Sequence, residues 1–295
     1  MAEIIQKDGT WAFDGDTVRI VPGHDKGVGL LRSTLGEVAV PLEALAGIAF
    51  ESGRRSGRLR LRLRDGADPL LQVTGGKLDD ASDPYRLTVE SDRSGVAEYI
   101  VDEVRTALLL DGVESGPVDR YLLPGPALPL TVGAGDATVT FDGERVRLEW
   151  NWKTEDSKSS GGPRTIEIGD LDSVEWLPSA GLDNGYLRFR VAGAAPSATP
   201  PKHDPYAAEL WGFKKDPLMA LVGAAVVARL PHPRAARPPA ALDSGEQPVD
   251  TVKEPSAGDH DALLRRLREL GELHQAGILT ADEFTTAKQA LLRHL

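Results

Sequence analysis

The sequence contains no cysteine. Disulfides, thiolate metal sites and cysteine nucleophiles are therefore excluded. There are six histidines, and no pair has the HxxxH or HExxH spacing that brings two imidazoles to one metal. They read as surface or loop residues. No glycine-rich loop matches a phosphate cradle, since "GVG" at 27–29 lacks the third glycine and the strand–helix setting. No Gly-x-Ser-x-Gly elbow is present. "FDGD" lacks the spaced carboxylates and closing glutamate of a calcium loop. Long apolar runs are missing too. The longest, "LMALVGAAVVA" at 218–228, is far short of the roughly 20 residues a bilayer requires. The opening "MAEIIQKDGT" has no apolar core, so it does not read as a secretory signal. These absences lead to the expectation of a cytoplasmic protein with no cofactor, no metal and no enzymatic activity.

The chain has 295 residues, 41% hydrophobic and 27% charged, which suits more than one globular domain. The net charge of -11 repels a phosphate backbone and disfavours nucleic acid as a partner.

The sequence repeats itself. Phe13, Asp14, Gly15, Val18 and Arg19 recur 128 positions later as Phe141, Asp142, Gly143, Val146 and Arg147. Gly57, Leu59, Arg60 and Arg62 recur at the same offset as Gly185, Leu187, Arg188 and Arg190. "DPYRLTVE" at 83–90 then meets "DPYAAELW" at 204–211. Several matches in one order signify a tandem duplication.

Each copy has the same pattern. Asp-Gly marks a hairpin turn that needs positive φ. The runs after it alternate, as in Val146, Leu148, Trp150 and Trp152 against Arg147, Glu149, Asn151 and Lys153. Period two predicts half-buried strands, with both tryptophans on the core side. About seven strands and one closing helix are expected per copy. The helices show Val96, Ile100, Val104 and Leu108, then Leu218, Val222, Val226 and Leu230, at helical spacing along one face. The fold class is therefore mainly β (α+β), with repeats at 1–115 and 125–231. This pattern resembles the pleckstrin-homology-like superfold, a small barrel closed by a C-terminal helix.

Residues 232–259 are proline-rich and poor in large apolar side chains, which predicts a flexible linker. Residues 260–295 predict a helical hairpin. Leu263, Leu267 and Leu270 form one stripe, Gly277 suits a C-cap, and Thr280 with Glu283 forms a capping box. Ile278, Phe284 and Leu291 extend the apolar set. So short a hairpin cannot bury that face by itself, so self-association or a protein partner is expected.

The hairpin residues Gly277, Ile278, Thr280, Glu283, Phe284, Lys288, Leu291 and Leu292 resemble the bacterial SHOCT short C-terminal domain. That resemblance implies oligomerisation or partner binding. The duplicated segments "FDGDTVRI", "DPYRLTVE", "LEWNWKTE" and "ELWGFKKDPLMALV" resemble the actinobacterial domain of unknown function 4429. Neither family implies an enzyme.

Two stretches remain as binding candidates. In "GRLRLRLRDG", Arg58, Arg60 and Arg62 share the face opposite Leu59, Leu61 and Leu63. Arg188 and Arg190 repeat part of it. The plain reading is a wet sheet face with arginines paired to acids such as Glu43 or Glu51. The functional reading is a site for an anionic lipid or another anion, peripheral to a membrane in the first case. In "GFKKDP", Lys214 and Lys215 stand at a strand-to-helix turn, as a solvated turn or a second anion contact. The leading functional expectation is a non-enzymatic scaffold or adaptor acting through residues 260–295.

Overall fold

The computed structural model describes residues 1–193 and 199–235. The expected hairpin, with Leu263, Leu267, Leu270, Ile278, Phe284 and Leu291, and nearly all of the linker lie outside the described residues.

The first repeat begins with the antiparallel sheet β1 (Ala2–Gln6), β2 (Gly9–Phe13), β3 (Thr17–Pro22) and β4 (Val38–Pro41), paired in chain order. A short helix α1 (Leu30–Leu35) connects β3 to β4. A second sheet holds β5 (Leu45–Glu51), β6 (Ser56–Leu63) and β7 (Arg86–Glu90), with helix α2 (Pro69–Thr74) between the last two. Helix α3 (Ser94–Leu110) closes the repeat. The second repeat has the same order. Strands β8 (Leu130–Ala134), β9 (Ala137–Phe141), β10 (Arg145–Trp150) and β11 (Arg164–Glu167) form one sheet, interrupted by helix α4 (Asp156–Ser159). Strands β12 (Leu171–Leu177), β13 (Gly185–Val191) and β14 (Ala207–Leu210) form the next, followed by helix α5 (Leu218–Val227). Among the described residues the protein is thus mainly β, with four small antiparallel sheets and few helices.

Local chemistry explains the repeated turns. Asp14 Oδ1 accepts the N–H groups of Asp16 and Thr17, and Asp142 Oδ1 accepts those of Glu144 and Arg145. Gly15 and Gly143 take φ of 116° and 113°, which a side chain would strain. Helix α2 is set by Asp68, whose carboxylate accepts from Leu70 and Leu71, by Pro69 at its start and by Gly75 in the left-handed region at its end.

The two closing helices differ. Helix α3 buries Ala97, Ile100, Val101 and Val104 against its own sheets and leaves Tyr99, Leu109 and Leu110 exposed. Helix α5 is buried at every position from Leu218 to Val227. The expectation of a single apolar face is corrected here. One side of α5 covers β8, β9 and β12 of its own repeat, and the other meets α1 and α2 of the first. A helix apolar all round is what burial on both sides demands. Leu230 falls beyond its end and is half-buried. Leu31, Leu70 and Val73 of the first repeat thereby join the second repeat's core. A Cβ on Gly223 would stand 3.0 Å from Val73, 3.2 Å from Leu187 and 3.5 Å from Val174. Glycine lets α5 approach this closely.

The chain past α5 returns to the first repeat. His232 is buried, stacks edge-on against Tyr121 with ring centroids 4.6 Å apart, and lies 3.1 Å from the Gly66 carbonyl through Nε2. Structured chain therefore continues past the expected boundary at 231, and His232 is no surface histidine.

Candidate functional site

Strand β6 alternates as its sequence dictates: Leu59, Leu61 and Leu63 are buried, while Arg58, Arg60 and Arg62 are exposed. Beside it lies a pocket of about 810 Å³, whose lining includes Arg60, Arg62, Arg64, Ala49, Asp83 and Tyr85. Arg60 and Arg62 alternate along β6, so their guanidinium groups project from the same face, and Arg64 follows the strand's end.

Their partners differ from the acids expected. Arg58 pairs with Asp80 at 3.2 Å, in the β6–β7 connection, and not with Glu51. Arg64 donates to the carbonyls of Gly116 and Glu43, at 2.7 and 3.1 Å. Arg62 donates to the Ala46 carbonyl at 3.3 Å. Among the described residues, Arg60 has neither a hydrogen bond nor an ion pair, and neither Arg62 nor Arg64 has a carboxylate partner.

The second repeat pairs the same arginines differently. Arg188, the counterpart of Arg60, is buried, donates to Thr199 O at 2.7 Å and meets the Asp204 carboxylate at 2.9 Å, off the hydrogen-bond axis. Asp83, the counterpart of Asp204, is occupied by Arg86 at 2.9 Å in a similar off-axis contact. Arg86 also pairs with Asp80, and stands directly across the ladder from Arg60. Burial first, then the charges of Arg60 and Arg58, hold the Arg86 guanidinium below its ordinary pKa. Arg190, the counterpart of Arg62, bonds Glu175 at 2.6 Å. The strand registers make Ala49 the counterpart of Glu175, since Ala49 faces Arg60 as Glu175 faces Arg188. Arg188 and Arg190, two of the expected anion contacts, are thus each paired with a carboxylate within the fold. Lys214 and Lys215 lie exposed in the turn before α5, away from the β6 pocket.

The pocket wall is held by a buried network. Tyr85 Oη donates to Asp68 at 2.7 Å, and Asp83 Oδ1 accepts the Tyr85 N–H at 2.9 Å. Burial raises the pKa of Asp68, Asp83 and Tyr85 alike. For Asp83, the charges of Arg60 and Arg32 oppose that rise.

One feature of both repeats escaped the sequence reading. Asp8 and Asp136, again 128 positions apart, each accept a backbone N–H from the last strand of their repeat, from Thr88 at 2.9 Å and Glu209 at 2.8 Å. A buried cation from the β3–β4 or β10–β11 connection faces each: Arg32 with Asp8 at 3.8 Å, and Lys158 with Asp136 at 2.5 Å. The shared offset marked the aspartates. Nothing marked the cations, which occupy unmatched positions.

Trp150 is half-buried and donates through Nε1 to Gly162 O at 2.8 Å, but Trp152 is 88% exposed. Strand β10 ends at Trp150, so alternation no longer governs Trp152, and its expected core position is corrected. No group of three or more His, Asp or Glu that could hold a metal occurs among the described residues, nor any helix long and apolar enough to cross a membrane.

No curated protein matches the chain. The SHOCT short C-terminal domain matches residues 265–292. The domain of unknown function 4429 matches twice, at 11–105 and 139–227, which together exceed half the chain and follow the duplication. The protein belongs to the domain of unknown function 4429 family, in a tandem arrangement that ends in a SHOCT domain.

Proposed function

We propose that this protein is a non-enzymatic binding module whose first repeat receives an anionic group, phosphate or carboxylate, between Arg60 and Arg62. The seven strands and closing helix of each repeat support a pleckstrin-homology-like reading of the fold, but a fold does not select a ligand. The observation that carries the proposal is the asymmetry of the duplication. The same two arginines are neutralised by Asp204 and Glu175 in one copy; in the other, Arg60 stands between Ala49 and Arg86, and Arg62 stands opposite Gly47. Guanidinium groups that lack a bonded carboxylate beside a pocket favour bidentate oxyanions. Calorimetric titration of the full chain with pyrophosphate tests this. Saturable binding that R60A/R62A abolishes is the expected result. Binding untouched by that double substitution would defeat the proposal. Vesicles containing an anionic phospholipid form the second arm and show whether the headgroup source is a lipid.

The SHOCT match and the leucine stripe of residues 260–295 favour a second, compatible role as an assembly or adaptor element. Light scattering on the full chain and on a chain ending at Arg237 tests it. Loss of a multimer on truncation supports self-association. A monomer in both cases refers the hairpin to a foreign protein partner.

A further inference from the structure

The exposed end of the second repeat carries an arrangement that the anion pocket does not use. The Lys153 ammonium lies 5.3 Å from the ring centroid of Trp152, 5.2 Å from that of Trp211 and 5.4 Å from that of Phe213. Trp211 and Phe213 meet edge-on, with centroids 6.1 Å apart at 80°. Three π-faces therefore surround one cation. Trp152 is 88% and Phe213 57% exposed, so the group opens to solvent. Rings displayed this way sacrifice burial, and isolated exposure of a single side chain does not account for three together.

Both segments carrying the rings are fixed from below. Asp216, itself buried, accepts the N–H groups of Trp211, Gly212 and Phe213 at 2.8, 2.7 and 3.1 Å through one oxygen. Asn151 accepts the Lys153 N–H at 2.9 Å and donates to Gly135 O at 2.9 Å. Thr154 Oγ1 donates to Asp136 O at 2.5 Å. Glu209 adds a carboxylate beside the rings by accepting from Trp211 Nε1 at 3.2 Å. The rings are preorganised, which lowers the cost of taking a ligand. The first repeat has nothing equivalent: His24 and Asp25 stand at the positions of Trp152 and Lys153, and Glu90 and Asp92 at those of Trp211 and Phe213.

We propose that Trp152, Trp211 and Phe213 form an aromatic cage for an alkylated ammonium group, in which the Lys153 ammonium is the resident cation. A primary ammonium is strongly hydrated and sits on a flexible stem, whereas a methylated one is cheaper to desolvate and fits π-faces better. Such a ligand displaces Lys153 into solvent.

The test is titration of the full chain with tetramethylammonium chloride against sodium chloride at equal ionic strength, read on the indole N–H signals of the five tryptophans by NMR. W152F and W211F assign the two cage signals. Saturable shifts of those two are expected with tetramethylammonium and not with sodium. K153A should bind more tightly, because the resident cation is gone. W152A should weaken binding about two- to fivefold, the effect of one exposed cation–π contact, and W152A/F213A should weaken it further. Choline and Nε-trimethyl-lysine then distinguish the two sources of the same chemistry. No saturable shift in either wild type or K153A, with the remaining spectrum intact, would overturn the proposal. So would binding that survives W152A/F213A.

Discussion

The Arg188 guanidinium lies 2.9 Å from the Asp204 carboxylate, within the body of the second repeat. Its counterpart Arg60 has no such contact, because Arg86 occupies Asp83. One substitution reproduces the other half of the paired state, at Arg62. Ala49→Glu places a carboxylate at the position Glu175 holds opposite β13, diagonal to the second arginine. It should bond Arg62 as Glu175 bonds Arg190. An exposed ion pair of up to about 1 kcal/mol must then be broken before an oxyanion enters. Calorimetry should show pyrophosphate affinity falling by roughly two- to fivefold. Unchanged affinity in a folded A49E protein would mean that the anion does not touch Arg62.

Gly223 limits how closely α5 packs between α2 and its own sheet. A leucine there meets Val73, Leu187 and Val174 where even a Cβ stands at 3.0–3.5 Å. Overpacking of this kind costs about 1–3 kcal/mol. Since α5 shares its core with Leu31, Leu70 and Val73 of the first repeat, G223L should also reduce cooperativity. Calorimetric scans of the variant should broaden or split where the wild type gives one transition. A single transition at the wild-type temperature would show that α5 has room this geometry does not reveal.

Much of this architecture was legible in the sequence, because alternation and duplication are properties of local order. The β6 pattern, the Asp-Gly turns and the span of α3 all follow from residue spacing. What the sequence hid was set by register. Ala49 and Glu175 are 126 positions apart, while the arginines they serve are 128 apart, so a fixed offset does not match them. The cage was hidden for a related reason. Trp152 reads as an extension of the alternating strand, and only the chain's turn after Trp150 brings Lys153 to Trp211 and Phe213. The all-apolar character of α5 was visible, but its cause, a second repeat's surface on the far side, was not.

The Asp-Gly turns should contribute to acid sensitivity. Two backbone N–H groups hold the Asp14 carboxylate below its ordinary value of 3.8, and two do the same for Asp142. A folded-state pKa below the unfolded one gives stability that is present above the unfolded value and lost as pH falls through the folded value. Asparagine keeps the acceptor and removes the titration. The melting temperature of D14N/D142N should therefore fall less steeply than that of wild type between roughly pH 5 and pH 2. Parallel curves would show that neither turn is linked to protonation.

The buried pair of Lys158 and Asp136 yields a sharper expectation. Both side chains are essentially inaccessible, at 0% and 2% exposure. Burial lowers the Lys158 pKa and raises that of Asp136, and each partner's charge opposes the other's shift. Lys158→Met removes the main opposition and leaves a carboxylate in apolar surroundings. Breaking a buried pair this way costs about 3–5 kcal/mol. The sign with pH follows from the direction of the shift. With its pKa raised further in the folded state, Asp136 is tolerated in its protonated form at low pH and becomes destabilising as pH rises through the folded value. Urea denaturation should therefore find K158M closest to wild type in mild acid and furthest from it at neutral pH. K158M/D136N, which keeps an acceptor for the Glu209 N–H, should recover most of the loss and its pH dependence. Arg32→Met should cost less, since Asp8 is 16% exposed and its partner stands at 3.8 Å, so water can take over part of the solvation. Equal losses at the two sites would mean that the aspartate–backbone bonds, and not the cations, close each repeat.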